Sequence, residues 1–360
     1  MLLQHFVLPC VYDFWRIVYR NRKPELIVFA DAHHDTMPFS MMEIHEQILR
    51  RGYQVVDQIY NFAKMGQLGT VLVSIRFMKL YAQAKYVFIC DNFLPVSSCK
   101  KRAETKVIQL LHSSGLLKRM GYDTDEDIPA YYHGNVYRNY DLVTVSAPCC
   151  VEPFSRSLRQ DPGVVQPLGT SRTDVFYREN WQRNCADLFY SCYPEARGKK
   201  VILWAPTFRG NAGDPYQIGV EEIERLEKEL GEDYILIRKV HPHVDTKYHL
   251  SNCDIPTEQL LPVTDLMITD YSSVVIDFLF FNKPYVLFAP DLEEYQQKRG
   301  FYVEYDSLTP YVVTDEKALK ENVLAALNDQ NMDWIEKNRE YHLASCDGCA
   351  TQRILDYIGI

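Results

Sequence analysis

Polar side chains suited to phosphoryl-group chemistry directly follow several predicted strands of this 360-residue chain. His112 comes after the predicted strand 106–111, and a histidine at such a turn can accept a proton near neutral pH. Arg209 comes after the predicted strand 201–205, where a guanidinium can bind a phosphate with two parallel N–H bonds. The structural alternatives are a histidine that caps its turn and a solvated loop arginine.

The sequence His-Pro-His follows the predicted strand 234–240 and begins with His241. It could be half of a metal site, but no carboxylate ligand set lies at close spacing. His241 is therefore better suited to donate a hydrogen bond to a phosphoryl oxygen. Lys239, just before it, adds positive charge at this point or faces solvent. The sequence predicts no metal site and no cofactor.

The segment 270–273, Asp-Tyr-Ser-Ser, is the most informative part of the chain. It lies between the predicted strand 266–269 and a predicted helix, so two hydroxyls and free backbone N–H groups form an anion-binding site. Ser272 or Ser273 could equally be an ordinary helix N-cap. Asp277, one turn into the helix, could orient a ligand hydroxyl or interact favourably with the helix dipole.

Three further motifs leave alternatives open. His33 and His34 follow the first predicted strand and could touch an acceptor substrate or lie in an exposed loop. The acidic run 125–127 resembles a metal-binding motif, but it follows no apolar strand, which favours a solvated loop. Cys346 and Cys349 form a CxxC pair without a second pair or nearby histidines, which is weak support for zinc or redox chemistry. No GxGxxG or Walker A sequence is present, so the signatures of dinucleotide and P-loop sites are missing.

The composition predicts an ordinary globular α/β protein. Hydrophobic residues make up 47% of the chain and charged residues 24%, which is enough apolar surface for a sizeable core. Short β-rich runs alternate with helical patterns, which indicates parallel sheets. The net charge of −9 excludes the global basic field of a nucleic-acid-binding protein. Ten cysteines are too few for a disulfide scaffold and suggest reduced thiols.

The chain is long enough for two domains. The pattern predicts an N-terminal domain over 24–175 and a second domain over 201–335. A polar stretch punctuated by proline and glycine, 176–200, is the predicted connection and holds one short helix near 178–192. A C-terminal helix is predicted over 336–360.

Residues 1–23 reverse the order of a secretory signal peptide. An apolar and aromatic run comes first, and the basic residues Arg16, Arg20, Arg22 and Lys23 follow. An aromatic helix face beside arginine and lysine predicts binding to the surface of an anionic membrane. The alternative is a first helix that packs on its own core. A cytoplasmic protein at the inner face of the cell membrane is therefore expected.

Together these segments resemble the CDP-glycerol glycerophosphotransferase family, which includes the teichoic acid primases and polymerases. The resemblance runs through residues 90–123, 140–148, 167–177 and 201–211. It is strongest in 265–302, which reads DLMITDYSSVVIDFLFFNKPYVLFAPDLEEYQQKRGFY. This last block is long and specific, and it is not a general feature of nucleotide-binding folds.

The resemblance implies a GT-B-like pair of Rossmann-type domains with parallel sheets that face each other across a cleft. It implies transfer of a polyol phosphate, most simply glycerol phosphate, from a CDP-activated donor to a hydroxyl of a lipid-linked acceptor, with release of CMP. His112 takes the place of the family's base, and His241 is the second catalytic histidine. The donor-binding positions would be Arg209, Lys239, Ser272, Ser273 and Asp277.

Two departures from the family pattern concern the neighbours of the first histidine. Members commonly have tryptophan just before it and glycine just after it, where this chain has Leu111 and Ser113. The sequence leaves both CDP-glycerol and CDP-ribitol open as donors. The alternative functions are a GT-B glycosyltransferase that uses a nucleotide sugar, and a non-catalytic protein that binds a nucleotide or polymer.

Overall fold

The computed structural model describes residues 2–22, 24–128, 131–211 and 214–360. The chain divides into two compact α/β units. The first unit comprises Met1–Ser114, Met120–Val175 and Ala344–Ile360, and the second comprises Gly115–Arg119 and Phe176–Leu343. The short segment Gly115–Arg119 therefore belongs with the later half of the chain, although the residues on either side of it belong with the first unit.

The first unit contains a six-stranded parallel sheet with the order β2-β1-β3-β4-β5-β6. Its strands are nearly continuous apolar runs, which is typical of parallel strands covered on both faces. Their bounds are β1 Leu26–Asp31, β2 Val55–Ile59, β3 Ala84–Ile89, β4 Lys106–Gln109, β5 Leu142–Thr144 and β6 Val165–Gln166. The strand order reverses between β1 and β3, the place where sheets of this kind bind ligands.

The second unit repeats this design with five parallel strands in the order β10-β7-β11-β12-β13. A small antiparallel hairpin of β8 and β9 follows β7. The bounds are β7 Lys200–Trp204, β8 Arg209–Asn211, β9 Asp214–Tyr216, β10 Tyr234–Arg238, β11 Leu266–Thr269, β12 Tyr285–Phe288 and β13 Val312–Val313. Here the strand order reverses between β7 and β11.

Helices cover both sheets. In the second unit, apolar side chains of helices α7 and α12 pack with the sheet around the fully buried Trp204. The helices are α1 Leu8–Val18, α2 Phe39–Arg50, α3 Phe62–Tyr81, α4 Leu94–Ser97, α5 Val151–Ser157, α6 Glu179–Cys192, α7 Val220–Leu230, α8 Pro242–Tyr248, α9 Thr257–Leu260, α10 Val274–Phe278, α11 Leu292–Lys298, α12 Leu319–Asn328, α13 Asp333–Leu343 and α14 Ala350–Ile358. In the described part of the chain, no helix combines the length and apolar character needed to cross a bilayer.

Two segments differ from the sequence-based expectations. The predicted connection 176–200 contains the expected helix as α6, but its residues group with the second unit. The predicted single helix 336–360 is instead divided between α13 and α14. Gly348 has a φ of 86°, a conformation that a right-handed helix cannot accommodate, so the chain turns between the two helices.

Candidate active site

The first unit brings a histidine and a carboxylate together at the carboxyl edge of its sheet. β3 and β4 are parallel neighbours, so Asp91 and His112, which follow them, leave the sheet at the same edge. Nδ1 of His112 lies 3.4 Å from Oδ2 of Asp91, and the two side chains are 57% and 33% exposed. A carboxylate beside one ring nitrogen orients the imidazole and leaves the other nitrogen, Nε2, in position to accept a proton. This arrangement suits a general base.

Two hydrogen bonds hold the turn that carries His112. Leu111 has a left-handed backbone with a φ of 59°, a conformation that costs a residue with a Cβ atom about 1–2 kcal/mol. Its N–H donates to Oε1 of Gln109 at 3.0 Å. Arg172 donates from Nη1 to the backbone oxygen of His112. Because a strained residue persists only where its surroundings fix it, these contacts determine where His112 points.

Arg172 lies in the 3-10 turn Ser171–Tyr177 and is buried. Its guanidinium lies over the ring of Phe39, 5.3 Å from the ring centroid. Asp174 in the same turn accepts hydrogen bonds from the first two backbone N–H groups of α14, at 3.0 and 2.7 Å. This turn therefore positions His112 at one end and anchors the C-terminal helix at the other.

In the second unit, Arg209 is the centre of a buried ionic cluster. Its Nε and Nη2 donate to the two oxygens of Asp291 at 2.7 and 2.9 Å, and Nη2 also donates to Oδ2 of Asp270 at 3.0 Å. The guanidinium lies 4.7 and 5.4 Å from the ring centroids of Tyr271 and Tyr295. Burial alone would lower the pKa of Arg209, but the two carboxylates outweigh it and raise that pKa.

This environment differs from the expectation that Arg209 binds a phosphate group directly. Two carboxylates already neutralise its charge, and Nη1 donates to the backbone oxygen of Thr207. A buried arginine that is paired twice has little capacity for a further anion. The cluster instead ties the loop after β7 to the Asp-Tyr-Ser-Ser turn after β11.

The Asp-Tyr-Ser-Ser turn lies where the strand order of the second sheet reverses. Oδ1 of Asp270 accepts hydrogen bonds from the backbone N–H groups of Thr207 and Tyr271 at 2.7 and 2.6 Å. Ser272 Oγ accepts a long hydrogen bond of 3.5 Å from Val274, and within the described residues the hydroxyl of Ser273 makes no hydrogen bond. Both hydroxyls are partly exposed and can donate to an anionic ligand.

His241 is the N-cap residue of α8, and its Nδ1 accepts a hydrogen bond from the backbone N–H of His243 at 3.3 Å. The ring lies against Phe208, with centroids 4.5 Å apart. Desolvation by the surrounding atoms lowers the pKa of His241 to about 4 although the residue keeps an exposed surface, and the nearby His243 and Lys118 act in the same direction. The side chain is therefore neutral at pH 7. Because Nδ1 accepts, Nε2 carries the proton and can donate it in a hydrogen bond to a phosphoryl oxygen.

The remaining predicted donor-binding residues, Lys239 and Asp277, lie in environments that suit a structural role. The ammonium group of Lys239 donates to the backbone oxygen of Cys253 at 2.8 Å, which ties the end of β10 to the following loop. Asp277 in α10 is buried, with 2% of its surface exposed. A carboxylate at that depth has little exposed surface with which to contact a ligand hydroxyl.

The CxxC pair does not form a joint site. Cys346 is buried, with its sulfur 3.7 Å from the hydroxyl of Thr170, whereas Cys349 is exposed at the start of α14. Over residues 2–22, 24–128, 131–211 and 214–360, no three histidine, cysteine, aspartate or glutamate side chains are grouped to hold a metal ion.

Three supporting residues were not identified from the sequence: Asp91, Arg172 and Asp291. Asp91 follows a predicted strand next to the one that precedes His112, so adjacent strand ends could have suggested the pair. Asp291 follows β12, the neighbour of β11, and the same argument applies to it. Arg172 lies 60 residues from its partner His112, and no local pattern indicates that contact.

Two Rossmann-type units with parallel sheets and polar strand ends define a GT-B-like protein. Solved structures share this architecture. The wall teichoic acid polymerase TagF superposes over 98% of this chain and 93% of its own, with a TM-score of 0.76 and 19% identity. A UDP-GlcNAc 2-epimerase from Methanocaldococcus jannaschii superposes over 93% of this chain with a TM-score of 0.56 and 12% identity. At these identities the comparison establishes the fold alone.

Sequence comparison identifies the family. The pattern of the CDP-Glycerol:Poly(glycerophosphate) glycerophosphotransferase family matches residues 13–359. The teichoic acid glycerol-phosphate primase of Bacillus subtilis is 33% identical over 76% of this chain and 73% of its own length. The teichoic acid ribitol-phosphate primase of Bacillus spizizenii is 26% identical over 92% of this chain and 90% of its own. The chain belongs to the CDP-glycerol glycerophosphotransferase family and is an enzyme of that class.

Proposed function

We propose that this enzyme transfers a polyol phosphate from a CDP-activated polyol to a hydroxyl of a lipid-linked acceptor during synthesis of teichoic acid or a related cell-surface phosphopolymer. The observation that carries the proposal is the imidazole of His112 beside Asp91 at a sheet edge, in a chain that belongs to this transferase family. Family membership favours polyol-phosphate transfer over the two alternatives, sugar transfer and binding without catalysis.

The reaction is a single displacement at phosphorus. Nε2 of His112 takes the proton of the acceptor hydroxyl as its oxygen attacks the phosphorus that carries the polyol. A new oxygen–phosphorus bond forms, and the bond to the bridging oxygen of the diphosphate breaks. CMP leaves with the electron pair of that bond. Catalysis then depends on positioning and on stabilisation of the charge that develops on the phosphoryl oxygens.

The second unit supplies the donor-binding groups in this proposal. Neutral His241 donates from Nε2 to a phosphoryl oxygen, and the hydroxyls of Ser272 and Ser273 donate to the diphosphate. Arg209 acts as a positioning residue, because its bonds to Asp270 and Asp291 hold the serine turn in place. Lys239 and Asp277 support this region without direct ligand contact.

The first helix supports attachment to a membrane surface, where a lipid-linked acceptor would be found. One face of α1 packs inward, since Tyr12 is fully buried and packs against Tyr81 in a tilted arrangement, with ring centroids 5.2 Å apart. The opposite face exposes Phe14 and Ile17 at 59% and 61%. The basic residues Arg16 and Arg20 line a pocket next to Lys100, Lys101 and Arg102. Lys23, part of the predicted basic run, lies outside the described residues.

A donor screen tests the proposed function. Purified protein is incubated with CDP-glycerol, CDP-ribitol or UDP-sugars, each with and without a soluble lipid-linked acceptor analogue, and CMP or UDP release is measured. The proposal predicts acceptor-dependent CMP release from at least one CDP-polyol and no release of UDP. Acceptor-dependent UDP release would instead favour a glycosyltransferase.

A further inference from the structure

A second histidine–carboxylate pair lies at the same edge of the first sheet. Asp31, the last residue of β1, is buried, and its Oδ2 accepts hydrogen bonds from the backbone N–H groups of His33 and His34 at 2.8 and 2.7 Å. The same oxygen lies 2.9 Å from Nδ1 of His34. This contact is shorter than the 3.4 Å between Asp91 and His112, and its carboxylate is much less exposed.

Three hydrogen bonds to one carboxylate oxygen of Asp31 restrict the orientation of the His34 imidazole. Burial alone would raise the pKa of Asp31, but the hydrogen bonds from the His34 side chain and from both backbone N–H groups outweigh it and lower that pKa. Asp31 is therefore ionised at neutral pH and fixes one edge of the imidazole. The His34 side chain remains 49% exposed.

The position of this pair in the sheet connects it with His112. β1 and β3 are the strands between which the order reverses, so their carboxyl ends border the expected ligand site. Asp31 also contacts β3, because the sulfur of Cys90, the residue before Asp91, lies 3.8 Å from its Oδ1. The ends of β1 and β4 are two strand spacings apart, or roughly 10 Å. An acceptor with hydroxyls on two linked units, such as a glycerol phosphate attached to a sugar, spans a distance of this order.

The geometry of the turn does not require the imidazole. The two backbone N–H groups alone satisfy the carboxylate as a turn cap, and in the described part of the chain the exposed side chain of the neighbouring His33 makes no contact with Asp31. A half-exposed imidazole held by a buried carboxylate is an arrangement typical of a substrate-contacting group. We propose that His34, oriented by Asp31, binds a non-reacting hydroxyl of the acceptor while His112 deprotonates another hydroxyl of the same acceptor. This inference rests on the proposed function and adds an acceptor-binding residue to it.

The test compares His34→Ala with His33→Ala, a matched control one residue away in the same turn. Initial rates are measured at saturating CDP-polyol while a soluble, short-chain acceptor analogue ending in glycerol phosphate is varied. His34→Ala should raise the KM for the acceptor about five- to tenfold, as expected for one lost hydrogen bond. The KM for the CDP-polyol should stay within twofold. His34→Gln, which keeps a polar group, should recover part of the loss, and His33→Ala should resemble the wild type.

A binding measurement separates this inference from the proposed function. The same acceptor analogue is titrated into protein that contains isotope-labelled histidine, and the imidazole resonances are followed by NMR in the absence of CDP-polyol. The resonance of His34 should shift on titration, and the resonance of His33 should not. An unchanged acceptor KM in His34→Ala, or an unperturbed His34 resonance, would overturn the inference. Absence of transfer by the wild type from any CDP-polyol would instead overturn the proposed function.

Discussion

His112 is the residue on which the proposed chemistry depends. Three features position its imidazole: the strained backbone of Leu111, the hydrogen bond that Arg172 donates to the backbone oxygen of His112, and the nearby carboxylate of Asp91. These groups all belong to the first unit, whereas the serine turn belongs to the second. We therefore expect the base function and donor binding to be separable by mutation.

The replacement His112→Ala should reduce the turnover rate by at least about 100-fold, because general-base catalysis contributes this much or more. Binding of the CDP-polyol, measured by calorimetry, should remain close to that of the wild type. Asp91→Asn should lower kcat by a smaller factor, because it removes only the orienting charge. Weakened CDP-polyol binding with residual turnover in His112→Ala would contradict this division of roles.

At the scale of elements, the buried ionic cluster around Arg209 holds two loops of the second unit together. Arg209→Met leaves Asp270 and Asp291 buried without their cation, which should destabilise the protein by about 3–5 kcal/mol. Urea unfolding measures this loss. Arg225→Met, on the exposed surface of α7, is the matched control and should change the free energy of unfolding very little. Equal effects of the two substitutions would remove the structural role assigned to Arg209.

The packing of α13 makes stability depend on pH. His342 is buried, and its Nδ1 accepts a hydrogen bond from the backbone N–H of Leu116 at 3.2 Å. Burial lowers the pKa of His342 to about 4. Since the unfolded histidine takes up its proton at a higher pH, this contribution is complete above about pH 6.5 and is lost as the pH falls to about 4.

The expected loss from His342 across this range is about 3 kcal/mol. Urea unfolding of the wild type and of His342→Gln at several pH values between 7 and 4 measures it. Glutamine can still accept from the Leu116 N–H but does not titrate, so the variant should lose less stability on acidification. Parallel stability curves for the two proteins would show that the protonation of His342 does not contribute.

The sequence predicted most strands, since buried parallel strands are continuous apolar runs that end at polar residues. Its errors occur where backbone conformation overrides composition. The predicted strand 106–111 ends at Gln109, because the apolar Leu111 has a positive φ and turns the chain toward His112. The contact between Arg172 and His112 could not be predicted, because no local pattern connects two residues that are 60 positions apart.

The whole molecule carries a net charge of −9, but the surface at α1 is locally basic and apolar. The double variant Phe14→Ser with Ile17→Ser should lower binding to phosphatidylglycerol vesicles about tenfold or more, because it removes the exposed apolar face. The control is Met42→Ser with Leu49→Ser, which removes exposed apolar side chains of α2. Co-sedimentation measures the bound fraction. Equal losses in the two variants would exclude a specific role for α1.

Mass spectrometry of the acceptor after reaction shows whether the enzyme transfers a polyol phosphate and whether His112 catalyses that transfer. The wild type and His112→Ala are each incubated with CDP-glycerol or CDP-ribitol and a lipid-linked acceptor analogue. We predict that the wild-type acceptor gains one or more polyol-phosphate units with an equal release of CMP, and that the His112→Ala acceptor stays unmodified. An unmodified acceptor with both donors in the wild type, or a modified one in His112→Ala, would contradict the account.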